Sequence, residues 1–467
     1  MLGLSPGTGK LAHMFESFRH LDSARAALRA ERAATARRLI DLGHYARERM
    51  VELGNTHEDW VVDDWEMVAV EVAAELGIGR KRASTEMAHG QTLIERLPRL
   101  AEVFLAGDME YGHFTAVVAR TALITDPDVL TVLDDQLAAA APGWCAHSRD
   151  WVAEQVDWMV HDVDPEAVRV AKQRRLDRHI EIQPADNGLS DVYGSIDAAD
   201  AAVVDKRLSQ IAGTVCSADP RTFAQRRADA LRVLSEGGTR LPCLCGSPEC
   251  PAKDADAPAA GVVIHVVAEQ STLDGTGDTP GLVPGYGTVP AEQVRAMASQ
   301  ARCRPVADAA SLTAEPGYRP SAKLADFVRC RDLTCRWPGC DVPADRADID
   351  HTTPWPYGPT HPSNTKLYCR VHHLVKTFCP GWTDTQGPDG SVTVISPAGR
   401  IYKTKPDGAL FFPAMAAPTA ELTPATAPPP TATRGLAMPT RSRTREQARA
   451  FRIAHERALN RGAQLPP

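Results

Sequence analysis

The residues able to do chemistry crowd into one stretch of this 467-residue chain: Cys335-Arg-Trp-Pro-Gly-Cys340, Asp350-His351, Asn364, and Cys369-Arg-Val-His372-His373. Two cysteines on a turn, followed further along by a Cys-x-x-His pair, are what a structural zinc site needs, because two short chelating loops close one tetrahedron. Cys335, Cys340, Cys369 and His372 are its candidate ligands, and bound zinc would fold a segment too small and polar to make a core alone. Asp350 and His373 suit a second, hard divalent ion, Mg, Mn or similar, that polarises a phosphate and needs open coordination positions. His351 is the candidate general base, since an imidazole titrating near neutrality can take a proton from water. Asn364 is read as its brace, offering an oxygen to the other ring nitrogen so that one tautomer persists. The chemistry expected of such a set is metal-dependent hydrolysis of a phosphodiester.

In order and spacing these residues resemble the HNH endonuclease family in its zinc-bearing ββα-metal form, over residues 319–412. Asp350-His351, Asn364 and His373 stand where that family keeps its DH, N and H. The resemblance implies DNA as substrate, one catalytic ion on Asp350 and His373, His351 as base, Asn364 as its support, and products with a 5′ phosphate. Lys376 matches a basic position expected to touch phosphate. Through Gly358-Pro-Thr-His-Pro-Ser-Asn364 and His372-His-Leu-Val-Lys-Thr377, the wider chain is similar to actinobacterial proteins that join a helical domain of unknown function 222 to an HNH module. Two positions depart from the pattern: His372 replaces a frequent Cys, and Ala347 stands where relatives often carry another Cys. The first keeps a Cys3His site and the second removes a spare thiol. The competing reading is a non-catalytic zinc-containing DNA-binding or regulatory protein, including a decayed nuclease. Only the nuclease needs His351.

Further motifs carry weaker chemistry. Cys243-Leu-Cys245-Gly-Ser-Pro-Glu-Cys250 could hold a second zinc with His265 as a remote fourth ligand, or be a turn of reduced thiols. Cys145, Cys216, Cys303, Cys330 and Cys379 read as small apolar residues. Val72 to Arg82 resembles a helix-turn-helix, although two packed bundle helices give the same text. The arginines from Arg441 to Arg461 read either as a sequence-independent phosphate anchor or as a solvated tail. Trp337, Trp355 and Trp382 read as the apolar core of the small module rather than as base-stacking groups.

The elements that must position these groups follow from periodicity. Helical text begins at a cap candidate, Asp22 or Ser23, with apolar positions Leu28, Leu39, Leu42, Ala46 and Met50. It continues over Trp65–Leu76, Leu93–Leu105, Val129–Leu137 and Trp151–Val163, and Asp164-Pro165 opens another helix. Alternation from His179 to Ile196 about Asn187-Gly188 predicts a hairpin, helix resumes at Asp197, and Val262 to Val267 reads as a short buried strand. Ser271 to Val289 reads as loop. The Pro, Ala and Thr tract after Phe412 cannot bury enough apolar area to order itself.

Length sets two or three domains. The expected partition is a leader (1–21), a mainly helical domain with a small hairpin and short strands (22–318), the ββα-metal module (319–412) and a disordered Pro/Ala/Thr linker with a basic tail (413–467). No stretch reaches the ~20 apolar residues that span a bilayer, so a cytoplasmic protein without a membrane partner is expected. Seven of eleven cysteines fall in two local groups, which points to metal rather than to a secreted disulfide framework. The net charge of −7 divides into −15 over 1–318, +3 over 319–412, −1 over 413–433 and +6 over 434–467, so the positive charge that would hold a polyanion lies C-terminal. A homodimer is compatible with the sequence, since two single-site modules are needed for a simultaneous double-strand cut.

Overall fold

The computed structural model describes residues 7–168, 178–185, 189–196, 198–252, 265–299, 301–422 and 437–464. In chain order the helical half comprises α1 (Gly7–Leu53), α2 (Asp64–Leu76), α3 (Arg80–Gln91), α4 (Pro98–Leu105), α5 (Tyr111–Thr121), α6 (Pro127–Ala140) and α7 (Arg149–Val163). Next come the hairpin β1 (His179–Pro184) and β2 (Ser190–Ser195), then α8 (Ala198–Ala212), α9 (Phe223–Ser235), α10 (Gln270–Leu273), β3 (Gly281–Val283), β4 (Gly287–Val289) and α11 (Ala291–Ala298). The chain closes with α12 (Ala322–Asp332), β5 (Ala347–His351), β6 (Thr365–Cys369), α13 (Arg370–Phe378), a sheet of β7 (Thr383–Gln386), β8 (Val392–Ile395) and β9 (Ile401–Thr404), then α14 (Gly408–Phe411) and α15 (Arg445–Gln464). No helix among the described residues is long and apolar enough to cross a membrane.

Two compact units result, one of residues 1–170 and 304–467 and the other of 171–303. The division does not follow the expected boundary at 318, because the Cys/His module shares its core with the N-terminal helices. Val62, Met67, Val70 and Ala74, on and just before α2, pack with Cys335, Trp337, Tyr368, Leu374, Val375, Trp382 and Met438. A fixed start and stop let α2 present that face. The Asp63 carboxylate caps it by accepting from the Glu66 amide at 2.8 Å, and Gly77 ends it at φ +62°.

On α1 the fully buried positions Ala36, Leu39 and Ala46 recur at helical spacing. Gly43 and Gly90 meet between them, and a Cβ at either would collide with backbone of the facing helix. Leu28, expected on this stripe, is 46% exposed. Neither Asp22 nor Ser23 begins a helix: α1 already runs from Gly7, through most of the expected leader. A second core joins α1 to α4–α7 through Leu39, Leu97, Phe104, Phe114, Leu133 and Val156.

The unit of 171–303 contains the expected antiparallel hairpin, with Ile180 opposite Gly194 and Ile182 opposite Val192. Asn187-Gly188 and Val262 to Ile264 lie outside the described residues; Val267, at the end of that expected strand, bridges to Leu282. Ser271–Val289, expected as loop, instead carries α10 and the β3–β4 hairpin.

The expected disordered basic tail is corrected in part. Residues 423–436 lie outside the described residues, but α15 is a helix tied back to the N-terminal bundle. Arg441 and Arg445 reach Asp63 at 2.8 and 3.0 Å, Arg457 reaches Asp164 at 2.6 Å, and Arg461 reaches Glu166 at 2.8 Å. Part of the N-terminal acidity is therefore met by the tail, and these four arginines are engaged with carboxylates rather than held out for phosphate.

Candidate functional site

β5 and β6 pair antiparallel, with Asp350 opposite Lys366 and Ala347 opposite Cys369, and α13 follows directly from β6. The twofold period of β5 sorts its side chains. Ala347 and Ile349 join the core of α12 and Leu367. Asp348 and Asp350 take the opposite face, toward His373.

Cys369 ends β6 and caps the start of α13, so Cys369 and His372 are placed together at one strand-to-helix junction. The Cys335, Cys340 and Cys369 sulfurs and a His372 ring nitrogen all lie within 4.8 Å of one another. His372 Nδ1 is 3.4 Å from Cys335 Sγ and 3.3 Å from Cys369 Sγ. The Cys369 amide donates to Cys335 Sγ at 3.2 Å. Burial pushes the Cys335 thiol well up, while the thiols of Cys335 and Cys340 donating to Cys369 hold that sulfur far down. Donor type, number and spacing fit a zinc ion. Trp337 stacks on the His372 ring at 4.9 Å and also packs on Tyr368 and Trp382. Trp337 and Trp382 are thus core residues as expected, whereas Trp355 is 40% exposed.

One consecutive residue on, His373 turns to the other side of α13. Its Nδ1 lies 3.0 Å from Asp348 Oδ2 and its Nε2 lies 3.5 Å from Asp350 Oδ1. The ring thus spans two carboxylates, and Asp350 Oδ1 with His373 Nε2 is the pair of donors that could hold a divalent ion. The other oxygen of Asp350 is occupied: Lys376 Nζ approaches Oδ2 at 2.6 Å and Lys366 Nζ at 3.2 Å. Burial alone would raise the Asp350 carboxyl, but the two lysines and His373 prevail and hold it at about 2. Lys366 is fully buried and also pairs with Asp384 at 2.7 Å. Lys376, expected at phosphate, instead points inward, at Asp350 and the His351 carbonyl.

His351 is buried and stacks under Tyr318 at 5.4 Å. Its Nε2 is 2.8 Å from Thr360 Oγ1, and that hydroxyl donates its single proton to the Gly317 carbonyl at 2.6 Å. Thr360 must then accept from Nε2–H, which leaves Nδ1 as the basic nitrogen. Burial, followed by the nearby lysine charges, lowers the pKa of the ring despite Asp350. Asn364 does not contact the imidazole. Its Oδ1 accepts from the Thr353 amide at 2.8 Å and its Nδ2 donates to Thr353 and Pro359 carbonyls at 3.0 and 2.9 Å, so it clamps the loop that follows His351. The bracing oxygen expected from Asn364 is supplied by Thr360.

Asp348, Thr360, Lys366 and Asp384 were not singled out from sequence; only the alternation Asp348/Asp350 carried any signal for them. Arg80 opens α3, the second helix of the stretch that resembles a helix-turn-helix, and it is half-buried and paired with Glu66. The α2–α3 turn beside it is covered: Gly339, at φ +72°, approaches it so closely that a Cβ there would lie 2.7 Å from the Ile78 carbonyl and 3.0 Å from that of Ala73.

A second cluster lies in the unit of 171–303, where Cys216 joins Cys243, Cys245 and Cys250 with all four sulfurs within 4.8 Å. His265, the expected fourth partner, is exposed and outside the group. Cys216 is therefore not the ordinary apolar residue that its isolation in sequence suggested.

Comparison with known proteins agrees with the helical part of this reading. The family model described as domain of unknown function (DUF222) matches residues 26–332. The chain is 43% identical to the uncharacterized protein Rv3776 of Mycobacterium tuberculosis, over 94% of this chain and 89% of that one. It is 42% identical to the uncharacterized protein MT2160 of the same species, over 98% of this chain and 92% of that one. No solved structure matches. With its helical half matched by the family model and full-length relatives at this identity, the chain belongs to the DUF222 family.

Proposed function

We propose that this chain is a metal-dependent endonuclease of the HNH type that hydrolyses DNA phosphodiester bonds. The observation that carries the reading is the convergence of Asp350 Oδ1 and His373 Nε2 at 3.5 Å, with Asp348 behind the histidine and a braced imidazole on the next residue, His351. Asp350 and His373 would hold a divalent ion, which would supply Lewis-acid polarisation of the phosphate and neutralise charge on the leaving oxygen. His351 takes the proton of the attacking water at Nδ1, its other nitrogen being committed to Thr360. Asn364 keeps the following loop, and with it the end of β5, in place. The Cys3His cluster anchors the start of α13, so that ligation at His372 also aims His373. Exposed Tyr318 and Trp355, packed edge to face beside His351, offer rings on which a nucleotide can stack.

A second reading, a zinc module that binds without cleaving, draws on one observation: Lys366 and Lys376 already compensate Asp350. The two readings separate on supercoiled plasmid incubated with Mg, Mn or EDTA. The nuclease nicks or linearises it only with metal, and His351→Ala abolishes this while keeping fold and zinc content. DNA binding without cleavage under either metal would establish the binding module instead.

A further inference from the structure

We propose that Cys216, Cys243, Cys245 and Cys250 bind a second zinc ion as a tetrathiolate, and that this ion, more than hydrophobic burial, holds together the part of the 171–303 unit built on α8 and α9. The proposal is independent of the nuclease reading. The four sulfurs lie within 4.8 Å of one another, with Cys216 and Cys243 3.5 Å apart. A zinc–sulfur bond of about 2.3 Å puts tetrahedral sulfurs about 3.8 Å apart, so one ion fits with little adjustment. An iron–sulfur cluster distributes its cysteines over several irons and needs them spread more widely. Disulfides would require sulfur contacts of about 2 Å, and the four cysteines are free.

The surroundings show why an ion is needed. Cys216 follows the end of α8, and Cys243 follows Leu241, which packs with Ile211, Ala230 and Val233 in the apolar cluster of α8 and α9. That cluster is small, and below a certain core size a metal or a disulfide must supply the missing stability. The polar scaffold is ready for it. Asp219 accepts from the Leu244 amide at 2.9 Å and from Arg221 at 2.8 Å, and Arg221 donates to the Pro242 carbonyl at 2.7 Å. These bonds hold the Cys216 turn against the Cys243–Cys245 turn. The Cys243 amide, bonded to the Ala252 carbonyl at 3.1 Å, closes the loop that carries Cys250.

The test is metal analysis of the full chain, produced with zinc and purified with reductant and without chelator. Wild type holds two zinc ions per chain, Cys216→Ser or Cys245→Ser holds one, Cys335→Ser holds one, and His265→Ala still holds two. Native alkylation of wild type, mapped by mass spectrometry, keeps the result independent of how the serine variants fold. Cys216, Cys243, Cys245 and Cys250 stay protected as a group until chelator releases zinc, whereas exposed Cys145 and Cys303 label at once. The proposal is overturned if wild type carries a single zinc that Cys335→Ser removes and Cys216→Ser does not. Iron in place of zinc, disulfides among the four, or labelling of all four as fast as Cys145 would overturn it as well.

Discussion

Asp348 Oδ2 lies 3.0 Å from His373 Nδ1, on the side of the ring opposite Asp350. This carboxylate orients the imidazole, and such a partner behind a metal-ligating histidine governs metal affinity about 10- to 100-fold. Asp348→Asn should therefore raise the Mg or Mn concentration needed for half-maximal cleavage by about that factor, with little change in zinc content. An unchanged metal requirement would show that Asp348 is only a surface partner of Arg370, to which it lies 3.4 Å away.

Thr360→Val removes the acceptor of His351 Nε2–H while keeping the side-chain volume. Cleavage should slow by about 10- to 100-fold, and Thr360→Ser should restore most of it. The pH dependence follows from the same ring. On the proposed reading His351 acts as the base when neutral, and burial lowers its pKa, so the acid limb of the rate should fall below the ordinary histidine value of 6.5. An acid limb at or above 6.5 would contradict the burial of His351.

Lys366, fully buried, bridges Asp350 and Asp384. Lys366→Met leaves both carboxylates short of a cation in the interior, and breaking such a pair costs about 3–5 kcal/mol. Thermal unfolding of the first unit should move down accordingly. Acid sensitivity should also increase. Because Asp350 is held at about 2, below its usual 3.8, its contribution is intact above pH 4 and disappears as the pH falls toward 2. With Lys366 gone the folded-state pKa rises, and acid unfolding of metal-free protein should begin at higher pH than in wild type.

Gly90→Ala tests the crossing of α1 and α3. A methyl group there meets backbone of Leu39 and Gly43, which no rotamer change can relieve. Overpacking of this kind costs about 1–3 kcal/mol, and the melting temperature should drop without loss of zinc. A neutral outcome would mean that the two helices can slide apart freely.

What was legible in the sequence was local. Cys335 and Cys340 sit on one turn, and Cys369 and His372 on one helical start, so spacing alone brought them forward, and the structure gathers all four. The β1–β2 hairpin was visible because alternation is written into neighbouring residues. What stayed hidden came from distant segments. Cys216 reaches its three partners only once α8 and α9 have packed, and nothing in its own neighbourhood marks it. Thr360 displaces Asn364 as the imidazole's partner because the backbone of the intervening loop claims both ends of the amide. The arginines of the tail looked free because their carboxylates, Asp63, Asp164 and Glu166, lie hundreds of residues earlier.

The packing of α2 onto the Cys/His module, with Gly339 pressed against its C-terminal turn, bears on how such a protein can evolve. A module that folds by itself can be spliced onto new carriers, but here the N-terminal helices supply part of the Cys/His module's interior. Substitutions at Val70 or Ala74 on one side and at Trp337 or Val375 on the other are inherited as one compatibility problem. Descent should therefore keep the two halves in the same reading frame, diverging in step rather than by exchange.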